Sequence, residues 1–155
     1  MRLQNGGSVL LEVIIGAAIL AAVALSFLGS FAVLSRVHER NMLYIKGDLL
    51  AEEGIEALRL IKGAGWSNLL GISTLGTRYL TVGDSTWGVT TTPEVIDGSF
   101  FRSIKVTPVS RSATDDITTS GGTVDTNTLL LESDVSWSYR NSTSTATYKS
   151  YVTNI

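Results

Sequence analysis

Apolar positions dominate the first third of the chain and then settle into two other rhythms. From Val9 to Leu34 nearly every residue is apolar or small, and roughly 20 such residues cross the hydrocarbon core of a bilayer as a helix. The run predicts a membrane span. Beyond it, as far as Lys62, the helical pattern continues with no Pro and no turn cluster, but it sorts into faces. At about 100° per residue, Leu43, Gly47, Leu50, Ala51, Gly54, Ile55, Leu58 and Ile61 share one broad side, which is expected to pack on a sheet. Gly costs a helix about 1 kcal/mol relative to Ala, so Gly47 and Gly54 on that side point to close approach of a strand. On the opposite side Met42, Ile45, Leu49 and Leu60 accompany Glu52, Glu53 and Glu56. Two readings of those aliphatic groups stay open: lateral contact with other subunits, or cover by the domain's own loops. Glu56 and Arg59 are spaced for a surface pair.

Gly63 and Gly65 are expected to end this helix through a left-handed cap, with Trp66 folding back onto the core. Thereafter the rhythm becomes that of strands. Arg78 to Val82 and Thr86 to Thr91 flank Gly83-Asp84-Ser85, which reads as a hairpin turn. Phe100 to Val109 is a strand that Pro108 should end at an edge or a bulge. Ser110 to Asn127 is predicted to be a long polar loop. Next, Leu129, Leu131, Val135, Trp137 and Tyr139 alternate with Glu132, Asp134, Ser136, Ser138 and Arg140, one face core and one face wet. A turn at Asn141 to Thr145 and a closing strand from Ala146 to Val152 complete the chain. The fold class is therefore α+β: a long N-terminal α-helix, part membrane span and part amphipathic, packed on an antiparallel sheet of about four strands.

The apolar run carries one violation. A carboxylate at mid-depth in a bilayer costs on the order of 2.5 to 3.5 kcal/mol on insertion scales, and Glu12 sits near the start of the span. If the chain is cut between Gly7 and Ser8, a new α-amine appears at the tip of the helix, one turn from Glu12. The Glu12 carboxylate could then reach the amine of a neighbouring copy and favour one axial register between neighbours.

These residues resemble the precursors of type IV pilins and pseudopilins: Gly7 before the cut, Ser8 as the new N-terminus, Glu12 as the fifth residue of the mature chain, and an apolar helix after it. The family usually has Phe at the new N-terminus and several basic residues in its leader, where this chain has Ser8 and Arg2. The run from Leu50 to Arg59, followed by Trp66 and Leu69, resembles a pattern in minor pilin-like proteins. The resemblance implies a leader over residues 1–7, a transmembrane and filament-core helix over 8–35, and an extracytoplasmic pilin-like domain over 36–155. It also implies removal of the leader by a prepilin peptidase, N-methylation of Ser8, and extraction by an inner-membrane assembly platform into a filament of pilin or pseudopilin subunits. Orientation, with the leader in the cytoplasm, comes from the resemblance too, because Arg2 precedes the span while Arg36 and Arg40 follow it. Two other readings of the N-terminus remain: a secretory signal cut near Ala22-Val23-Ala24, and an uncleaved anchor.

Composition narrows the function. The 155 residues allow one domain beside the anchor. A net charge of -2, with 17% charged residues, gives no support for nucleic-acid binding. Cysteine is absent, so no disulfide closes a loop, in contrast to some pilins. His38 is the single histidine and lies beside Arg36 and Arg40 at the membrane edge. There is no G-x-S-x-G elbow, phosphate loop or H-E-x-x-H pair, so no enzymatic activity is expected. No cofactor is expected either, although Asp115, Asp116 and Asp125 are candidate calcium ligands. Asn141-Ser142-Thr143 matches a glycosylation acceptor. The leading expectation is a minor structural subunit of a type IV pilus or of a type II secretion pseudopilus, single-pass in the inner membrane before assembly. The alternative is a membrane-tethered extracytoplasmic binding or adhesion module that does not polymerise. A secreted enzyme is the third reading.

Overall fold

A computed structural model of the chain describes residues 5–118 and 121–154, with side chains from Gly7 onward. Two helices, α1 (Asn5–Gly63) and α2 (Trp66–Ser73), precede the strands β1 (Tyr79–Gly83), β2 (Thr86–Thr90), β3 (Glu94–Ile96), β4 (Phe100–Arg111), β5 (Ile117–Thr118), β6 (Thr123–Tyr139) and β7 (Ser142–Thr153). The fold is α+β, a long apolar N-terminal helix followed by antiparallel sheet. The chain divides into two compact units, Met1–Met42 and Leu43–Ile155.

In the first unit α1 is exposed on every side from Gly7 to Leu34. It is long and apolar enough to cross a membrane, as a single-pass anchor requires. Its hydroxyls are handled within the helix. Ser26 Oγ donates to the Ala22 carbonyl at 2.8 Å and Ser30 Oγ to the Ser26 carbonyl at 3.0 Å, which removes the need for water as a partner.

In the second unit α1 lies on a sheet of order β3-β4-β6-β7, with β5 paired to the far end of β4. The expected helix face is the buried one. Ala51, Ile55, Leu58 and Ile61 are buried with Leu69, Leu80, Ile104, Val106, Leu129, Leu131 and Trp137. Gly47 and Gly54 allow the approach that their spacing predicts: a Cβ on Gly47 would stand 2.3 Å from the Trp137 ring, and one on Gly54 2.2 Å from Ser133 Oγ. Glu56 and Arg59 do pair.

Several elements differ from the sequence reading. About half of the expected loop over 110–127 is strand, because β4 and β6 stay paired out to Arg111↔Thr123 and β5 adds to Ser110 and Arg111. A register shift between Pro108 and Val109 lets the ladder resume beyond the imino ring. The turn expected over Asn141 to Thr145 shrinks to Arg140 and Asn141, both at positive φ (49° and 65°), so β7 begins at Ser142. Asp84 and Ser85 make the same kind of tight turn between β1 and β2 (φ 50° and 62°). That hairpin forms its own two-stranded sheet, joined to β4 through the Arg78↔Ile104 bridge. The main sheet therefore has five strands, and β3 and β5 were not anticipated. Nor was α2, whose Leu69 and Ile72 are buried. The left-handed cap at Gly65 is absent too. Gly65, at φ 145° and ψ 135°, instead occupies a glycine-favouring conformation at the N-terminus of α2.

Candidate functional site

Gly7, Ser8 and Glu12 all lie on the first turns of α1. The peptide bond between Gly7 and Ser8 is helical, and a Cβ on Gly7 would meet nothing within 4 Å, so packing within the chain does not require glycine there. Residues 1–4, which include Arg2 of the expected leader, lie outside the described residues. Glu12 is exposed on α1 four residues beyond Ser8, one turn along the same side. It is the only charged residue between Val9 and Ser35. Among the described residues it has no hydrogen-bond or ion-pair partner. The stretch from Gly7 to Leu34 thus carries one carboxylate on an apolar cylinder, with no cation beside it among the described residues. His38, Arg36 and Arg40 are exposed on α1.

The second unit holds two buried or half-buried charge nodes that sequence reasoning missed. Arg102, 2% exposed, faces inward from β4. Its Nε and Nη2 each donate to the Glu94 carboxylate at 2.9 Å, and its Nη1 donates to Glu53 at 3.1 Å and to the Leu50 carbonyl at 3.2 Å. Trp87 covers the guanidinium, 5.6 Å from its ring centroid. A guanidinium left bare in that position would be strongly destabilising, so the node ties α1, β3 and β4 together. The Asp97-Gly98 turn between β3 and β4, at φ 48° and 67°, is the sequence signal that could have located Glu94 opposite Arg102.

The other node lies at the far end of β4 and bears on the calcium expectation. Arg111 Nε donates to Asp125 at 2.7 Å, Nη1 to the Asp115 carbonyl at 2.8 Å and Nη2 to Thr128 Oγ1 at 3.1 Å. The Asp125 carboxyl is held down to about 2, first by the Arg111 hydrogen bond, then by the Thr128 hydroxyl and the Asn127 amide. Asp116 accepts from Thr114 Oγ1 at 2.8 Å instead of joining that group. Asp115 and Asp125 therefore surround a guanidinium. Among the described residues no three acidic, His or Cys side chains gather as a metal site.

Met42, Ile45, Leu49 and Leu60 are exposed at 55%, 56%, 60% and 62%. Among the described residues no loop covers them, and lateral contact with other subunits stays an open reading of those groups.

Compared with protein-family models, curated proteins and solved structures, the chain gives no match.

Proposed function

We propose that the chain is a structural subunit, of the minor class, of a type IV pilus or a type II secretion pseudopilus. The observation that carries the reading is Glu12, the one charge on the exposed apolar stretch of α1 over residues 7–34, with no partner among the described residues. A charge in that setting is costly unless a counter-charge arrives from outside the chain. Cutting after Gly7 creates such a charge on every copy, the Ser8 amine. The absence of any packing need for glycine at position 7 fits a requirement set by a protease, which must lay extended backbone across its own site. The Gly6-Gly7 pair at the start of α1 also lowers the cost of unwinding that turn. Helix association then proceeds between apolar surfaces, with little hydrophobic change as α1 passes from lipid to protein.

Intact mass of the protein extracted from membranes tests the processing step. The expected species lacks residues 1–7 and carries one methyl group on Ser8. An uncut chain, or one cut after Ala24, would overturn it. Gly7→Val should leave the precursor uncut in cells that express the peptidase.

A further inference from the structure

We propose that the free edge of β7 binds an extended basic segment of another protein by strand addition, with the acidic flank of α1 selecting lysine or arginine at alternate positions. Strand β7 is the last strand of the sheet, and it pairs with β6 in unbroken register from Thr128↔Thr153 to Tyr139↔Ser142. Among the described residues no strand pairs with its other side. A row of backbone N–H and C=O groups along 12 residues therefore faces outward. Sheets normally blunt such an edge with Pro, a bulge, a short strand or charge. The opposite edge follows the rule, since β3 has three residues and β5 two. Strand β7 has neither Pro nor a register shift, and its one lysine, Lys149, is bound to Glu132 at 2.6 Å. This edge has the form used to accept an added strand.

The occupant's chemistry follows from what overhangs the edge. Tyr44 and Ser144 hydroxyls hydrogen-bond at 3.0 Å, and Arg59 Nη2 donates to Ser150 Oγ at 3.0 Å, so these two contacts lay α1 along β7. At about 100° per residue, Asp48 and Glu52 fall on the same flank of α1 between those contacts. Both are exposed and neither has an ion-pair partner among the described residues. Their separation of one turn, about 6 Å of rise, matches the roughly 6.5 to 7 Å between alternate side chains of a strand. A strand laid beyond β7 would bring every second side chain beneath these carboxylates. A second copy's β7 offers Ser144, Ala146, Tyr148, Ser150 and Val152 on that row, without a cation, so an outside basic strand suits the site better. The inference does not depend on filament assembly.

The test uses full-length protein in detergent micelles and fluorescent ten-residue peptides of alternating Thr-Lys or Thr-Glu sequence, read by anisotropy. The Thr-Lys peptide should bind about tenfold more tightly than Thr-Glu, as two partly exposed ion pairs allow, and less tightly as salt rises. Asp48→Lys with Glu52→Lys should reverse the preference. Methylating one alternate set of peptide amides should abolish binding while methylating the other set leaves it intact, because only one set faces β7. The proposal fails if neither or both methylated peptides bind, if charge reversal changes nothing, or if no Thr-Lys binding occurs. It also fails if the protein self-associates through β7 and the peptide does not displace the second copy.

Discussion

The two stretches of α1, residues 7–34 and residues 47–61, are both rich in aliphatic residues and both contain glycines, yet they solve different problems. In the first, Cβ atoms added at Gly16 or Gly29 would meet nothing within 4 Å, and every residue is exposed. In the second, the glycines are the points where Trp137 and Ser133 press against the helix, and burial follows one face. An apolar helix with no stripe has no inside within its own chain, so its apolar surroundings must come from lipid or from other helices. A striped helix draws its surroundings from its own sheet. The same residue type therefore carries opposite meanings at Gly29 and Gly54.

The largest effect expected from breaking this comparison concerns the polar outlier of the first stretch. Glu12→Leu removes a charge from the apolar run, so membrane insertion should proceed as well as before or better. Leader removal should also persist, because Gly7 and Ser8 are unchanged. On the proposed pilus or pseudopilus assembly, incorporation into filaments should nevertheless fall sharply, since a neighbour's Ser8 amine would lose its counter-charge. The measurement is processed subunit in sheared filaments relative to membranes, in cells lacking the native copy. A ratio equal to wild type would remove the pairing mechanism and favour the non-polymerising tether.

For the second stretch the counterpart is Leu58, fully buried on the sheet-facing side of α1. Leu58→Ala should destabilise the folded unit by about 2 to 5 kcal/mol, a large share of a small domain's stability. Leu28→Ala, on the exposed stretch, should leave the same unfolding transition in place. Denaturant titration of the two variants in micelles checks both halves of the statement, and equal midpoints would refute the assigned helix faces.

How much of this was legible in the sequence follows from the range of the forces involved. The face of α1 could be read because helical periodicity is a local property, and the bulge at Pro108 because proline lacks a donor wherever it sits. The alternation from Leu129 to Trp137 gave the core face of β6 for the same reason. The region from Ser110 to Asn127 misled because its polar residues serve a strand pair whose partners, Arg111 and Asp125, meet only through the β4–β6 register. Arg102 was invisible in the same way, since its three acceptors come from α1 and β3. Short β3 announced itself only by the Asp-Gly turn behind it. At the N-terminus the candidate residues could be named, and the contacts of the described residues give Glu12 no partner from which to read a role.

A smaller effect, with opposite signs in the two stretches, is expected from glycine substitution. Gly29→Ala should add helix propensity of about 1 kcal/mol with no clash. Gly54→Ala should instead destabilise by about 1 to 3 kcal/mol, as overpacking does, because Ser133 Oγ stands 2.2 Å from the new methyl. Ser133 Oγ is also buried without a hydrogen-bond partner, so Ser133→Ala alone should be neutral or stabilising. The double variant should recover part of the loss, giving a coupling that independent sites would not show. Strict additivity would contradict the close approach at Gly54.

The last contrast sets two carboxylates against each other: Glu12, which has no partner among the described residues, and Asp125, which has three. Because Arg111, Thr128 and the Asn127 amide hold the Asp125 carboxyl at about 2, against about 4 in an unfolded chain, the unfolded state binds its proton first as acid is added. The stability that Asp125 contributes is therefore fully present above about pH 4 and is lost as pH falls through the window down to about 2. Asp125→Asn should lower the unfolding midpoint at pH 7 and flatten the slope of stability against pH in that window. It should leave the slope near neutrality unchanged. The Arg111 and Asp125 side chains keep 28% and 19% of their surface exposed, so raised salt should shrink the difference between the two proteins only in part. Thermal or urea unfolding at half-unit pH intervals, with and without added salt, gives the comparison, and parallel profiles below pH 4 would show that the Arg111 contact does not hold the carboxylate in solution.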